Sequence, residues 1–239
     1  MTGLHAAARM RPQVKICGLT RPDEAARCAG RGADAIGLVF FPKSPRHVGC
    51  EQARAIVAAL PAVVAAVGVF VDETFDFIMG RVDRCGLCMV QLHGQESPQL
   101  AARLQAAGVG VIKALFVGGR PGLEEAAGFD VDGILVECAK GPLPGGNALA
   151  WDWKAARELG RRRPLVLAGG LRADNLAEAI AAARPAAIDL SSGVEAAPGR
   201  KDDCKVSQLM AALGAAVMPD AKDPLPTVFA PRGARRHVR

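Results

Sequence analysis

The sequence has few aromatic residues and no tyrosine: its 239 residues include two tryptophans and eight phenylalanines. Proteins that bind single-stranded nucleic acid stack bases on aromatic side chains, and this chain supplies few of them. The formal net charge of +6 does not change this conclusion, because the basic residues are scattered apart from Arg161–Arg163 and the arginine-rich C-terminal end. Binding of an anionic small substrate would explain a net positive charge equally well. We therefore predict no nucleic-acid partner.

Long apolar runs are also missing. Residues 1–13 contain no apolar stretch long enough for a secretory signal peptide. Nowhere does the chain approach the roughly 20 consecutive apolar residues that a membrane helix needs. The seven cysteines are an odd number spread over the whole chain, which argues against a disulfide framework and for a reducing compartment. These absences predict a cytoplasmic protein with no membrane partner.

The usual patterns of a metal centre and of a dinucleotide site are absent as well. The close pair Cys85 and Cys88 has no second CxxC and no histidine at finger spacing, whereas structural zinc needs four ligands. We therefore interpret this segment as the end of a helix turning into a strand. The first predicted strand is followed by Cys17-Gly18-Leu19-Thr20 rather than GxGxxG, which disfavours a doubly wound nucleotide-binding sheet.

Eight apolar, β-branched runs alternate with stretches of helical composition. Near-continuous apolar runs such as Val67–Val71 are typical of strands buried on both faces of a parallel sheet. Strict alternation with helices implies crossover connections. Eight repeats predict a single closed (β/α)8 TIM barrel, with an open doubly wound sheet as the alternative. The predicted strands are Val14–Cys17, Ala35–Phe40, Ala65–Val71, Met89–Leu92, Val111–Ala114, Gly133–Val136, Leu165–Ala168 and Ala187–Leu190.

Helix boundaries follow local signals. Thr20 before Pro22 is predicted to be an N-cap, as is Ser97 before Pro98.

We place the barrel at residues 13–215, between an N-terminal tail at 1–12 and a basic C-terminal tail at 216–239. Both tails lack periodicity and are predicted to be poorly ordered. The predicted helices are Asp23–Arg31, Glu51–Leu60, Phe75–Cys85, Pro98–Ala107, Pro121–Gly128, Trp153–Leu159, Ala173–Ala183 and Lys205–Leu213.

Chemistry-bearing residues follow the predicted strands, where a barrel of this type carries its site. Cys17 stands at the tip of the first strand. Adjacent glycines let backbone N–H groups approach an anion closely, and the seventh and eighth loops of such barrels commonly hold phosphate. The Gly169-Gly170 turn and the Ser192-Gly193 run therefore predict a phosphate site.

Ordered motifs from about Val14 to Leu213 resemble those of the phosphoribosylanthranilate isomerase family of tryptophan biosynthesis. The resemblance implies a cofactor-free and metal-free enzyme that converts the phosphosugar N-(5-phosphoribosyl)anthranilate to 1-(2-carboxyphenylamino)-1-deoxyribulose 5-phosphate by an acid/base Amadori rearrangement. The resemblance does not decide whether the protein is a monomer or a homodimer. The motifs are KICGLT at 15–20, GLVFFPKSPRHV at 37–48, VGVFVDE at 67–73, VQLHGQESP at 90–98, VIKAL at 111–115, WDW at 151–153, LAGGL at 167–171 and DLSSGVEAAPGRKD at 189–202.

The resemblance assigns the two catalytic groups. The reaction needs an acid for the ring oxygen and a base for the sugar C2 proton. Cys17 corresponds to the base, and Glu137 stands where the family usually has an aspartate acid. The extra methylene of Glu137 moves the carboxyl by about one C–C bond, and a misplacement of roughly 1 Å can be costly. Asn147-Ala148 is a second departure, in a loop expected to close over the substrate.

The resemblance also assigns the binding groups. Arg46 is expected to pair with the anthranilate carboxylate, which suits a planar bidentate donor. Gln91 and His93 are placed near the sugar, with a purely structural imidazole as an equal alternative for His93. Asp189 is expected to orient the eighth loop or the ribose hydroxyls. The residues expected to hold phosphate through backbone N–H groups are Gly169, Gly170, Ser192 and Gly193.

Two other functions stay open at this point. The histidine-pathway isomerase performs the same chemistry on a larger substrate with paired carboxylates, and Cys17 argues against it. A barrel with a regulatory or assembly role, which binds a phosphosugar without turning it over or acts on a related substrate, is the alternative from another functional class. Glu137 and Asn147 are the residues that keep this alternative open.

Overall fold

The computed structural model describes residues 11–138, 151–216 and 224–231. Eight parallel strands follow one another around a closed barrel, and the first strand pairs with the eighth. The strands are β1 Gln13–Cys17, β2 Ala35–Val39, β3 Ala65–Phe70, β4 Met89–Leu92, β5 Gly110–Val117, β6 Gly133–Cys138, β7 Leu165–Leu167 and β8 Ala187–Leu190. The predicted (β/α)8 barrel is confirmed, and the open doubly wound sheet is wrong.

Strands β2 to β8 each contribute to two separate apolar layers, because successive side chains point to opposite faces. In β2, Ile36 and Leu38 belong to the outer layer between strands and helices, whereas Ala35 belongs to a cluster inside the barrel. Met89 and Ile112 lie in the same inner cluster. Both faces of the sheet are therefore covered, which explains why the strands have near-continuous apolar sequences.

The helices of the crossovers lie close to their predicted positions. They are α1 Pro22–Gly30, α2 Cys50–Ala58, α3 Phe75–Cys85, α4 Pro98–Ala106, α5 Arg157–Gly160, α6 Leu176–Ala183 and α7 Asp203–Ala215. A 3₁₀ helix at Leu123–Gly128 occupies the predicted helix at 121–128, and another at Trp153–Ala156 precedes α5. Among the described residues, no helix has both the length and the apolar character needed to cross a bilayer.

One of the two predicted N-caps is correct. The Ser97 side chain accepts a hydrogen bond from the Leu100 N–H at 3.2 Å. The prediction for Thr20 is wrong, since Arg21 occupies the N-cap position of α1 without a side-chain cap. The Thr20 hydroxyl instead donates to the Gly199 carbonyl at 2.7 Å. A tertiary partner, distant in sequence, has replaced the local one.

The interpretation of Cys85 and Cys88 as a helix end is confirmed. Helix α3 ends at Cys85, and Gly86 caps it in the left-handed conformation with φ of 73°. Strand β4 begins directly after Cys88, at Met89. Within the described ranges, no group of three or more His, Cys, Asp or Glu residues is arranged to hold a metal ion.

A short antiparallel hairpin follows β8 and was not predicted. It consists of β9 Glu195–Ala197 and β10 Arg200–Lys201, which pair with each other and not with the barrel. Its turn includes Gly199, whose carbonyl binds Thr20. The hairpin is therefore anchored to the segment between β1 and α1.

Part of the C-terminal tail closes the amino-terminal end of the barrel. Val228 and Phe229 are 1% and 2% exposed and join the inner apolar cluster. The Gln13 side chain, at the start of β1, accepts hydrogen bonds from both of their N–H groups and donates to the Phe229 carbonyl at 2.9 Å. For residues 224–231 the structure thus differs from the predicted poorly ordered tail, because an apolar pair fills the space between the strand ends.

We expect Phe229→Ala to lower the free energy of unfolding by about 1.5–3 kcal/mol, the value for burying one large apolar side chain. Denaturant unfolding would measure this change. Val63→Ala is the control, because Val63 is 77% exposed, and a surface change of this kind alters stability by about 0.5 kcal/mol or less. Equal stabilities of the two variants would show that the tail does not seal the barrel.

Candidate active site

An open cavity lies at the carboxyl ends of the barrel strands, where barrels of this kind bind small molecules. All ten side chains or backbone positions predicted from the sequence line it, although they come from six different strand ends and their following loops. They are Cys17, Arg46, Gln91, His93, Glu137, Gly169, Gly170, Asp189, Ser192 and Gly193. The barrel therefore brings the predicted residues together, and their individual roles remain predictions.

Glycines on either side of Cys17 allow the close packing around its thiol. Gly18 has φ of 77°, and a Cβ there would lie 2.5 Å from Cδ of Arg46. A Cβ on Gly37, the β2 neighbour of Cys17, would lie 2.7 Å from Sγ. Larger residues at these two positions would displace Cys17 and Arg46 from the cavity wall.

A buried ion pair lies beneath the thiol. Lys15, two residues before Cys17 on β1, is fully buried, and its Nζ lies 2.8 Å from Oδ2 of Asp189. Burial acts against its charge, but Asp189 and Cys17 outweigh it and raise the pKa of Lys15. The pKa of Cys17 is also raised, because burial disfavours the thiolate more than Lys15 favours it. The second carboxylate oxygen of Asp189 is buried without a hydrogen-bond partner among the described residues.

Arg46 is held by a second buried ion cluster. Its Nε and Nη2 donate to the two oxygens of Glu195 at 2.9 and 2.7 Å. Lys201 on β10 donates to the same carboxylate at 2.6 Å. Burial disfavours the Glu195 carboxylate, but Arg46 and Lys201 outweigh it and hold the pKa of Glu195 below its usual value. One bidentate edge of the guanidinium is thus used within the protein, which the sequence-based role for Arg46 did not anticipate.

Gln91, His93 and Glu137 form a line across the cavity. The Gln91 amide nitrogen lies 2.9 Å from Nδ1 of His93, and Nε2 of His93 lies 3.4 Å from Oε1 of Glu137. This last contact is not a hydrogen bond, and Oε1 of Glu137 is buried without a hydrogen-bond partner among the described residues. The ring of His93 also packs edge-on against Phe116, with centroids 5.5 Å apart.

The loop that carries His93 is fixed by a third buried ion pair. Nζ of Lys113 on β5 lies 2.7 Å from Glu96 and donates to the Gly94 carbonyl at 2.6 Å. Glu96 in turn accepts the Gly94 and Asp72 N–H groups at 2.9 and 3.0 Å. This network positions the residues that directly follow β4.

One wall of the cavity is apolar. Val39 and Val69, from neighbouring strands, cluster with Cys17, and Phe41 packs against them. A flat apolar ring fits such a surface, and Arg46 lies in the loop that begins at Phe41. This wall was not predicted, since valines at strand ends look the same in sequence as core valines.

The opposite side of the cavity consists of backbone-rich turns. Gly169 and Gly170 both have positive φ, of 86° and 69°. Asn175 fixes this turn by donating to the Gly170 carbonyl at 2.9 Å, and the Trp151 indole donates to the Ala168 carbonyl at 3.0 Å. The sequence departure at Asn147-Ala148 lies outside the described residues.

Comparisons with known proteins agree on one family. A family model described as N-(5'phosphoribosyl)anthranilate (PRA) isomerase matches residues 14–212. An N-(5'-phosphoribosyl)anthranilate isomerase from Desulfatibacillum aliphaticivorans is 53% identical over 201 residues, 84% of this chain and 92% of that protein.

Solved structures give the same result. Phosphoribosyl anthranilate isomerase from Thermus thermophilus matches with a TM-score of 0.78 and 37% identity, covering 85% of this chain and 98% of that one. A phosphoribosyl anthranilate isomerase in complex with reduced 1-(o-carboxyphenylamino)-1-deoxyribulose 5-phosphate matches with a TM-score of 0.75 and 38% identity, covering 85% and 99%.

The Glu195 cluster predicts a large stability effect. We expect Glu195→Gln to lower the free energy of unfolding by about 3–5 kcal/mol, because removing one partner leaves buried cations without compensation. Denaturant unfolding of this variant and of a matched control variant would measure the change.

The matched control is Glu158→Gln. Glu158 also contacts two arginines, but its side chain is 62% exposed, against 5% for Glu195. Solvent screens such surface pairs, so the control is expected to change stability far less. Similar losses in the two variants would contradict the buried cluster.

Proposed function

The chain belongs to the N-(5'-phosphoribosyl)anthranilate isomerase family, and we propose that it performs that rearrangement with Cys17 as the base and Glu137 as the acid. The observation that carries the proposal is that a thiol from β1 and a carboxyl from β6, strands that are not neighbours, line the same cavity. Acid and base can thus act on different atoms of one bound sugar. No cofactor is needed for these proton transfers.

The two catalytic groups each make one proton transfer, and a tautomerisation follows. Glu137 gives a proton to the furanose ring oxygen while the C1–O bond breaks and the anthranilate nitrogen forms a double bond to C1. The Cys17 thiolate then takes the proton from C2, and the electrons of that C–H bond form the C1–C2 double bond of an enolamine. The C2 hydroxyl of the enolamine then loses its proton as C1 gains one, which gives the ketose product, and proton exchange with solvent returns Glu137 to the acid and Cys17 to the thiolate. Each group must lie within hydrogen-bond reach of its atom.

The cavity walls supply a place for each part of this substrate. The aromatic ring fits the apolar wall of Val39, Val69 and Phe41. We place the anthranilate carboxylate at Nη1 of Arg46, because the hydrogen bonds to Glu195 use the other two guanidinium nitrogens, Nε and Nη2. The phosphate fits the turns at 169–170 and 192–193, where backbone N–H groups can approach an anion. The free oxygen of Asp189 is suited to a ribose hydroxyl.

His93 is assigned to positioning rather than proton transfer. Its Nε2 lies 3.4 Å from Oε1 of Glu137, beside the longer carboxylate arm that this chain has in place of an aspartate. Gln91 fixes the imidazole in turn. Glu137 lines the cavity and its Oε1 has no hydrogen-bond partner among the described residues, so this oxygen is available to a substrate, which supports Glu137 as the acid despite its extra methylene.

Cellular and assembly properties remain predictions from the sequence. We propose a cytoplasmic enzyme that acts on a small phosphosugar, has no nucleic-acid partner and is either a monomer or a homodimer. A barrel that binds the phosphosugar without turnover, or turns over a related one, is the outcome that the following variants would reveal.

Replacing the base should abolish most turnover while the protein stays folded. We expect Cys17→Ser to lower kcat by about 10²–10⁴, the usual contribution of a general base, since a hydroxyl is a far weaker base than a thiolate. A steady-state assay with freshly generated phosphoribosylanthranilate would measure it. Cys204→Ser is the control, because Cys204 is an exposed cysteine on α7. Equal kcat values for the two variants would remove Cys17 from the mechanism.

The acid can be tested with two substitutions of different length. Glu137→Gln keeps the shape but cannot donate the proton, so kcat should fall by about 10²–10⁴. Glu137→Asp keeps the proton but withdraws the carboxyl, by roughly 1 Å, from His93, and should lose up to about 10² in kcat. Normal turnover by Glu137→Gln would mean that another group protonates the ring oxygen.

A further inference from the structure

The proposed mechanism gives no role to Lys15, a buried ionisable group two residues before Cys17. Lys15 is fully buried in the middle of β1, where its register partner on β8 is Asp189. Lysines are almost never fully buried unless paired, because burying an ammonium group is unfavourable. A purely structural strand would carry an apolar residue here, as its neighbours Val14 and Ile16 do.

Lys15 and Cys17 point to the same side of β1, since they are two residues apart on a strand. The contacts of Gly37 locate the two side chains relative to each other. A Cβ on Gly37 would lie 2.7 Å from Sγ of Cys17 and 3.0 Å from Cε of Lys15. The last methylene of the lysine and the sulfur thus flank one small space, with Asp189 holding the ammonium group there at 2.8 Å.

We propose that Lys15 is a positioning residue that keeps a fixed positive charge beside Cys17 and thereby enables the buried thiol to act as the base. The inference rests on the proposed role of Cys17. Lys15 transfers no proton: it stays an ammonium ion while Cys17 Sγ exchanges its proton with the sugar C2. Asp189 has two roles, since one oxygen holds Lys15 and the other faces no protein partner among the described residues.

Other charged groups also surround the thiol. Arg46 and Lys201 are cations near Cys17, but both are bound to Glu195. Asp189 is an anion and opposes the thiolate. Burial raises the pKa of Cys17, and Lys15 has the largest opposing effect, larger than that of Asp189. Removing Lys15 and Asp189 together should therefore still disfavour the thiolate.

The test measures the thiolate directly. Alkylation of Cys17 by iodoacetamide, followed by peptide mass spectrometry across a pH series, gives the midpoint at which the thiolate forms. In Lys15→Met we expect this midpoint to rise by about 1–3 pH units, the effect of losing an opposite charge at close range. The acid limb of the kcat profile should shift in the same direction.

A double variant separates the proposal from a purely structural pairing. Lys15→Met alone leaves Asp189 buried without its partner, and that anion would itself disfavour the thiolate. Lys15→Met/Asp189→Asn removes both charges, and we expect its midpoint to remain above that of the wild type. A midpoint equal to the wild-type value would overturn the proposal, because Lys15 would then serve only to neutralise Asp189.

Two controls exclude a general loss of structure. Lys113→Met breaks the other fully buried lysine pair, with Glu96, and should leave the Cys17 midpoint unchanged. Exposed Cys204 serves as an internal reference in every sample. The alkylation readout needs no turnover, so a failure of the proposed isomerase activity would be seen separately in the Cys17→Ser assay.

Discussion

The active end of this barrel depends on burying cations, each of which requires an anion within hydrogen-bond distance. Lys15 pairs with Asp189 at 2.8 Å, Lys113 with Glu96 at 2.7 Å, and Arg46 with Glu195 at 2.7 Å. Removing one partner of such a pair leaves an uncompensated charge and is strongly destabilising. The three pairs therefore fix the relative positions of strand ends and loops that are distant in sequence.

These pairs also set the electrostatics in which the chemistry takes place. The Arg46 guanidinium lines the cavity and the Lys15 ammonium group is buried beside Cys17, whereas the wall of Val39 and Val69 is apolar. A substrate with an aromatic ring, a carboxylate and a phosphate presents the complementary features. Preorganised charges of this kind act without reorganising during the reaction, which is why such sites favour charge development at defined atoms.

Much of the fold and the membership of the site followed from the sequence, because both depend on local patterns. Buried parallel strands have continuous apolar runs, and loops after strands of a barrel meet at one end. Glu137 illustrates this well, since its position directly after Ile134-Leu135-Val136 placed it in the cavity. The eight-strand count was decisive for the closed barrel.

The pairings within the site could not be predicted, because they depend on which segments closure brings together. Lys15 stood in an apolar strand, a visible anomaly, but its partner Asp189 becomes a neighbour only when β1 pairs with β8. Arg46 meets Glu195 only through the β9–β10 hairpin. Thr20 and Phe229 likewise found tertiary partners that outweighed the local signals of a cap and an unstructured tail.

The most direct test of this account is a crystal structure of the protein with reduced 1-(2-carboxyphenylamino)-1-deoxyribulose 5-phosphate bound. We predict the aromatic ring on Val39 and Val69, the phosphate at the turns of Gly170 and Gly193, and sugar C2 within about 3.5 Å of Cys17 Sγ, a distance suited to proton transfer. A ligand bound with its sugar remote from both Cys17 and Glu137 would contradict it.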